Sequence, residues 1–270
     1  MNKGKPFSIV IEVVPPMGSD PTLLLNMLQP LKRLSFDRFS VASNPLAKSR
    51  MSAMAMSMLI RRQIGINCTL HCTVRDGNRL GMQSLLWGAK ALGVHSILAM
   101  TGDLIASGDC GRATKAGDFD VLDLIRMAQS SELLVGVVLD ASGTAKGLDN
   151  AIRRLESKVS AGARYVVTQP VFEEAAVEML HHKLSHLEIS KIMGILPLRS
   201  ARHAEFLHRN VSGVTIPAAI RERMNRSANG VAEGIDIARK VIAHCRSRFQ
   251  GVCIMPAFNR FDVVPDIISP

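Results

Sequence analysis

Short apolar runs rich in β-branched residues alternate along the whole chain with longer segments in which apolar positions recur every three to four residues. The short runs read as strands: SIVIEVV, RFSVAS, NCTLHCTV, HSILAMTG, LLVGVVLD, RYVVTQP, KIMGILP and GVCIMP. The longer segments predict helices over Thr22–Arg33, Ser49–Gln63, Leu80–Leu92, Asp120–Ser130, Ala145–Ala161, Glu173–Ser185, Ala201–Arg209 and Val231–Arg248, with an extra helix near Pro217–Arg226. Such alternation implies a parallel sheet. Eight strands with eight principal helices fit an α/β fold of the (β/α)8 TIM barrel type, a single domain over residues 1–270. An open doubly wound sheet is the alternative, weakened because no Gly-x-Gly-x-x-Gly follows the first strand.

One position breaks the first apolar run. Glu12 stands among Ile9, Val10, Ile11, Val13 and Val14, ahead of the pair Pro15-Pro16. A carboxylate in such a strand is costly unless it is paired, hydrogen-bonded or kept protonated. It is either a catalytic group or half of a structural ion pair. A barrel gathers its functional groups at the carboxyl ends of its strands. Polar residues stand there in succession: Glu12, Ser43-Asn44, His71 with Arg75-Asp76, Thr101-Gly102-Asp103, Asp140 and Thr168-Gln169. Turns favour polar residues in any case, but six such groups at one end point to a site.

The bulk composition narrows the field. The 33 Lys and Arg exceed the 23 Asp and Glu by 10, a balance suited to a phosphate-bearing or polyanionic partner. The charges are dispersed, and one Trp and one Tyr offer no stacking platform, so nucleic-acid binding is not expected. Five cysteines without a Cys-x-x-Cys pair give little support to a disulfide framework or a zinc site. Cys72 and Cys110 are expected to do no chemistry. There is no signal-peptide pattern and no apolar run of membrane-spanning length, so the expectation is a reduced, cytoplasmic protein.

Several motifs together resemble methylenetetrahydrofolate reductase. IEVVPP is similar to that family's strand with a Glu before Pro-Pro, TGD to its Gly-Asp turn, AGARYVVTQPVF to its Ala-Gly-Ala and Thr-Gln segment, and GILPL to its seventh strand. NPLAKSRMS, RDGNRLGMQSLLWGAKALGVHSILAMTGD, RSARHAEFLH and QGVCIMPAF resemble the branch fused to homocysteine methyltransferases, which work in methionine biosynthesis. The resemblance covers nearly the whole chain. It implies hydride transfer from NAD(P)H through FAD to 5,10-methylenetetrahydrofolate, giving 5-methyltetrahydrofolate. It makes Glu12 the general acid that opens the methylene bridge, and it places Asp103 near pterin and flavin. Gln169 and Asn44 become substrate contacts, while His71, Arg75, Asp76, Thr101, Gly102, Asp103 and Lys158 become flavin contacts. No metal is implied. A homo-oligomer is implied, with a redox or methyltransferase protein as a possible further partner.

The sequence departs from that family on the flavin side. GVVLDASGTAKG replaces an aromatic or Asn-Pro segment, and Ser157 stands where an Arg is common. The segment GDLIASGDCGRATKAGDFDV reads either as a lid over the cofactor face or as a plain connection. Two further readings therefore stand beside the flavoenzyme: a flavin-independent folate enzyme that reduces directly or moves a one-carbon unit, and a non-catalytic folate-binding subunit.

Overall fold

The computed structural model describes residues 7–105, 113–139, 145–211 and 213–269. Within them β1 (Ser8–Val13), β2 (Arg38–Val41), β3 (Cys68–Thr73), β4 (Ser96–Met100), β5 (Leu134–Leu139), β6 (Tyr165–Pro170), β7 (Ser190–Ile195) and β8 (Gly251–Ile254) pair in parallel, in chain order, and β8 returns to β1. The predicted barrel is present, and the open sheet is excluded. Around it lie α1 (Thr22–Leu28), α2 (Ala53–Ile64), α3 (Arg79–Ala91), α4 (Val121–Ser130), α5 (Ala145–Ser160), α6 (Glu174–Lys183) and α7 (Ala201–Asn210). The predicted extra helix is α8 (Ala218–Arg226), followed by α9 (Gly230–Cys245) and a short α10 (Val264–Ile268).

The strands read as near-continuous apolar runs because both of their faces are covered. In β1, Ile9, Ile11 and Val13 pack under the helices, while Val10 joins Leu98, Val167, Ile192 and Cys253 around the barrel axis. Glu12 lies on the same face as Val10, so its carboxylate belongs to the axis and not to the helix layer. At the amino-terminal end of the barrel Tyr165 forms a floor. Its ring fills the space above Gly136, where a Cβ would sit 2.0 Å from a ring carbon. Its hydroxyl donates to the Ile97 carbonyl at 2.9 Å and lies 3.0 Å from Ser96 Oγ.

Caps set the helix starts. The segment predicted to begin at Ser49 becomes helical only at Ala53, because Ser52 Oγ accepts the Ala55 N–H. Asn78 caps α3 through the Gly81 N–H at 2.9 Å, and Asp120 and Asp123 close a reciprocal box at the start of α4. On β6 the register with β7 shifts between Val167 and Pro170, a bulge at Thr168-Gln169 beside the mouth of the barrel.

Candidate active site

Glu12 has no hydrogen-bond or ion-pair partner among the described residues, so the structural ion pair considered from the sequence is absent. Apolar surroundings push its carboxyl from 4.5 up to about 7, because the charged form is poorly solvated there. Beside it across β1–β2 is Ser40, whose Oγ is 2.7 Å from His71 Nε2. His71 lies within β3 and not after it. Burial lowers its imidazole to about 4, so at neutral pH it is an uncharged hydrogen-bonding group.

Next to this axis a buried guanidinium ties three strand-end loops together. Arg75, only 5% exposed, donates from Nε to Asp76 Oδ1 at 2.6 Å and from Nη2 to Asp76 Oδ2 at 3.0 Å. It also donates to the carbonyls of Asn44 (2.9 Å) and Asp103 (3.1 Å). Asn44 Nδ2 donates to Asp76 Oδ2 at 3.1 Å, and the Leu46 N–H donates to Asp103 Oδ2 at 2.6 Å. Asn44, Leu46 and Ala47 all have left-handed backbones, a costly conformation for residues other than glycine. The Thr-Gly-Asp turn is held as closely: Gly102 has φ +90°, and a Cβ there would lie 2.2 Å from Thr73 Cγ2. The structure thus brings Asn44, Arg75, Asp76, Gly102 and Asp103 into one connected unit, with Thr101 exposed beside it.

Across the mouth, the β6 bulge places Gln169 against the segment after α7, where a Cβ on Gly213 would lie 3.3 Å from its amide carbon. Lys158, on α5, is apart from both groups. Its Nζ donates to the Val138 carbonyl at 3.0 Å, and burial with the nearby Arg154 lowers its pKa. A flavin dinucleotide needs donors free to meet its diphosphate. The Arg75 donors are spent on Asp76 and backbone carbonyls, Lys158 is bound to a strand carbonyl, and His71 is neutral and paired with Ser40. As arranged, Arg75 is nearly closed to a diphosphate, and Lys158 offers it only the two ammonium hydrogens that the Val138 carbonyl leaves. Asp140 and Cys110 lie outside the described residues, as do parts of the GVVLDASG wall and of the Gly-rich segment after Asp103.

Residues that the sequence reading missed complete the β7–β8–β1 arc of the mouth. Phe258 is 73% exposed and left-handed, with the Arg199 guanidinium 5.8 Å from its ring centre and the His203 ring at the same separation. Both ring nitrogens of His203 are buried without a partner, and burial with Arg199 lowers its pKa. Asn259, also left-handed, accepts the Val14 N–H at 3.1 Å and donates to the Val14 carbonyl at 2.7 Å. It clamps the chain two residues beyond Glu12. Asn259→Gly keeps the backbone conformation accessible and removes only the amide. Denaturant unfolding is expected to show a loss of about 1–3 kcal/mol, and an unchanged midpoint would contradict the clamp.

Among the described residues no group of three or more His, Cys, Asp or Glu side chains is placed to hold a metal ion, and no helix is long and apolar enough to cross a membrane. In comparison with known proteins, the family model and the curated relatives agree on one family. The family model described as methylenetetrahydrofolate reductase matches residues 1–255. A probable methylenetetrahydrofolate reductase (NADPH) of Caenorhabditis elegans is 29% identical over 151 residues, covering 54% of this chain and 22% of the relative. Methylenetetrahydrofolate reductase 2 of Schizosaccharomyces pombe is 23% identical over 222 residues, covering 73% and 34%. The chain thus matches about a fifth to a third of the length of these relatives. Among solved structures, a Clostridium thermocellum protein that binds two copies of 5-methyl-5,6,7,8-tetrahydrofolic acid superposes with a TM-score of 0.70 at 12% identity, covering 97% of this chain and 93% of that one. A phosphonopyruvate hydrolase complexed with oxalate and Mg shares the barrel at a TM-score of 0.55 and 11% identity, covering 96% and 78%. Likeness at that level speaks for the fold and not for the chemistry. The match along residues 1–255, over the barrel and its strand-end acids, places the chain in the methylenetetrahydrofolate reductase family.

Proposed function

We propose that this chain is an oxidoreductase that binds 5,10-methylenetetrahydrofolate in the mouth of the barrel and reduces its one-carbon bridge to the 5-methyl level, taking hydride from NAD(P)H. The observation that carries this reading is Glu12: a carboxyl on the barrel axis without an ionic partner, raised to about 7 and thus protonated over a useful range near neutrality. The bridge carbon is a poor hydride acceptor until its bond to N10 breaks. As that bond breaks, its electron pair goes to N10, which takes the Glu12 proton, and N5 with the carbon becomes an iminium cation. Hydride from the nicotinamide then reaches the carbon, leaving an N5-methyl group and the oxidised nicotinamide. Solvent restores the Glu12 proton.

The other residues act by position and charge. Asp103, with one oxygen fixed by the Leu46 N–H, offers negative charge to the iminium. Gln169 supplies an amide to the pterin edge, and Asn44 shapes the opposite rim. His71 stays uncharged and does not oppose the cation. A bound flavin would relay the hydride in two half-reactions, but the arrangement of Arg75, Lys158 and His71 favours transfer without a resident dinucleotide.

The test starts from purified protein incubated with FAD, desalted, and examined by absorbance before assay. The expected result is a colourless protein that oxidises NADPH or NADH only when methylenetetrahydrofolate is present, forming 5-methyltetrahydrofolate. A stoichiometric flavin spectrum would overturn the direct route. Failure to bind either folate would overturn the folate reading itself.

A further inference from the structure

A second feature lies at the opposite end of the barrel from Glu12. Between α2 and the starts of β2, β3 and β4 is a cavity of about 230 Å³ lined by Arg38, Ser57, Arg61, Asn67, His95 and Asp37, among others. Its charge is unbalanced. Two guanidiniums line it against one carboxylate, Asp37, whose Oδ2 accepts from Ser8 Oγ at 2.6 Å and from the Ile9 N–H at 2.7 Å. Neither Arg38 nor Arg61 has a carboxylate partner among the described residues. Arg61 spends Nη1 on the Leu92 and Gly93 carbonyls at 2.7 and 2.9 Å, which leaves its other nitrogens open. The Arg38 guanidinium makes no hydrogen bond among the described residues, although it is partly buried.

A second observation points the same way. Ser57 is fully buried, and its hydroxyl has no nitrogen or oxygen partner; its polar neighbour is the Cys68 thiol, a weak partner that bonds the Ser57 carbonyl at 3.8 Å. An orphan hydroxyl inside a protein carries a real cost, and it is usually paired. Ser57 and Arg61 stand four positions apart on α2, so they share the helix face turned toward β2 and β3.

From these groups we infer that the cavity is a binding site for a small oxyanion, a phosphate or a short dicarboxylate, held by Arg38 and Arg61 with Ser57 donating the hydroxyl hydrogen bond it otherwise lacks. Guanidinium forks match the geometry of such anions. The volume is below the usual range for a drug-sized ligand, so a folate does not fit. A cation is disfavoured because two guanidiniums line the cavity against the single Asp37 carboxylate. The site is independent of the reaction proposed for the mouth.

Calorimetric titration of the full chain tests it, with inorganic phosphate and glutarate added separately in chloride buffer of fixed ionic strength. Saturable one-to-one binding of either anion is expected, and which of them binds identifies the source. Arg38→Gln should weaken that binding at least about tenfold, the loss of a charge-assisted bidentate contact. Should that variant fail to fold, Ser57→Ala decides. It is expected to raise the melting temperature in chloride, since it deletes an unsatisfied hydroxyl, while weakening the anion several-fold, by about one hydrogen bond to a charged group. No saturable binding, or equal binding by wild type and Ser57→Ala, overturns the assignment.

Discussion

Glu12→Gln is expected to lower methylenetetrahydrofolate reduction by about 10²–10⁴-fold, the range for loss of a positioned general acid, while folate binding persists. The amide keeps the shape of the side chain and cannot give up a proton. The wild-type turnover should be flat at acid pH and fall as pH rises through about 7, because only the protonated carboxyl is competent. The same substitution has an opposite effect on stability. A carboxyl raised from 4.5 unfolded to about 7 folded binds its proton more tightly in the native state. Native stability therefore declines as pH rises from 4.5 through 7. With each pKa unit worth about 1.4 kcal/mol, the burden above pH 8 is about 3 kcal/mol. Glu12→Gln should relieve it, giving a variant more stable than wild type at pH 8 and nearly equal to it at pH 4. Paired urea titrations at the two pH values check this. If the inactive variant gained no stability at the higher pH, burial would not be what holds the proton.

The second large effect is expected at Arg75. Arg75→Met removes a buried cation from an acid and two loop carbonyls, leaving both carbonyls without this donor and Asp76 with only the Asn44 amide and the Ser43 hydroxyl. Asp76 is exposed and stays solvated, so the loss is set by the two carbonyls, about 1–3 kcal/mol for each one left unsatisfied. Because the Asn44 and Asp103 loops hang on the same guanidinium, turnover should drop as well. Arg75→Lys should restore little, since an ammonium cannot reach along three directions in one plane. A denaturation midpoint within about 1 kcal/mol of wild type would show that the loops hold themselves.

How far these features were visible in the chain depends on their range. The barrel was legible because strands covered on both sides leave uninterrupted apolar runs, and for the same reason Glu12 stood out in one of them. The Arg75-Asp76 pair was visible as neighbouring charges. Its bonds to Asn44 and Asp103 were not, because they need the closed sheet to bring three loops together. Asn259 was invisible: its partner Val14 lies 245 positions away, joined only when β8 meets β1. His71 looked like a strand-end residue because periodicity does not say where a strand stops. Lys158 shows the opposite limit, since a motif can preserve a residue type without saying that its ammonium turns to a strand carbonyl.

The Tyr165 ring seated over Gly136 closes the barrel from below. Above it Val10, Leu98, Val167, Ile192 and Cys253 fill the axis, so Glu12 is reached only from the carboxyl ends of the strands. Donor and acceptor must enter from the same side and leave by it, so they either lie face to face at once or take turns. Simultaneous occupancy predicts intersecting double-reciprocal plots, and alternating occupancy predicts parallel ones. The floor thereby turns a question about cofactors into one that steady-state kinetics can answer.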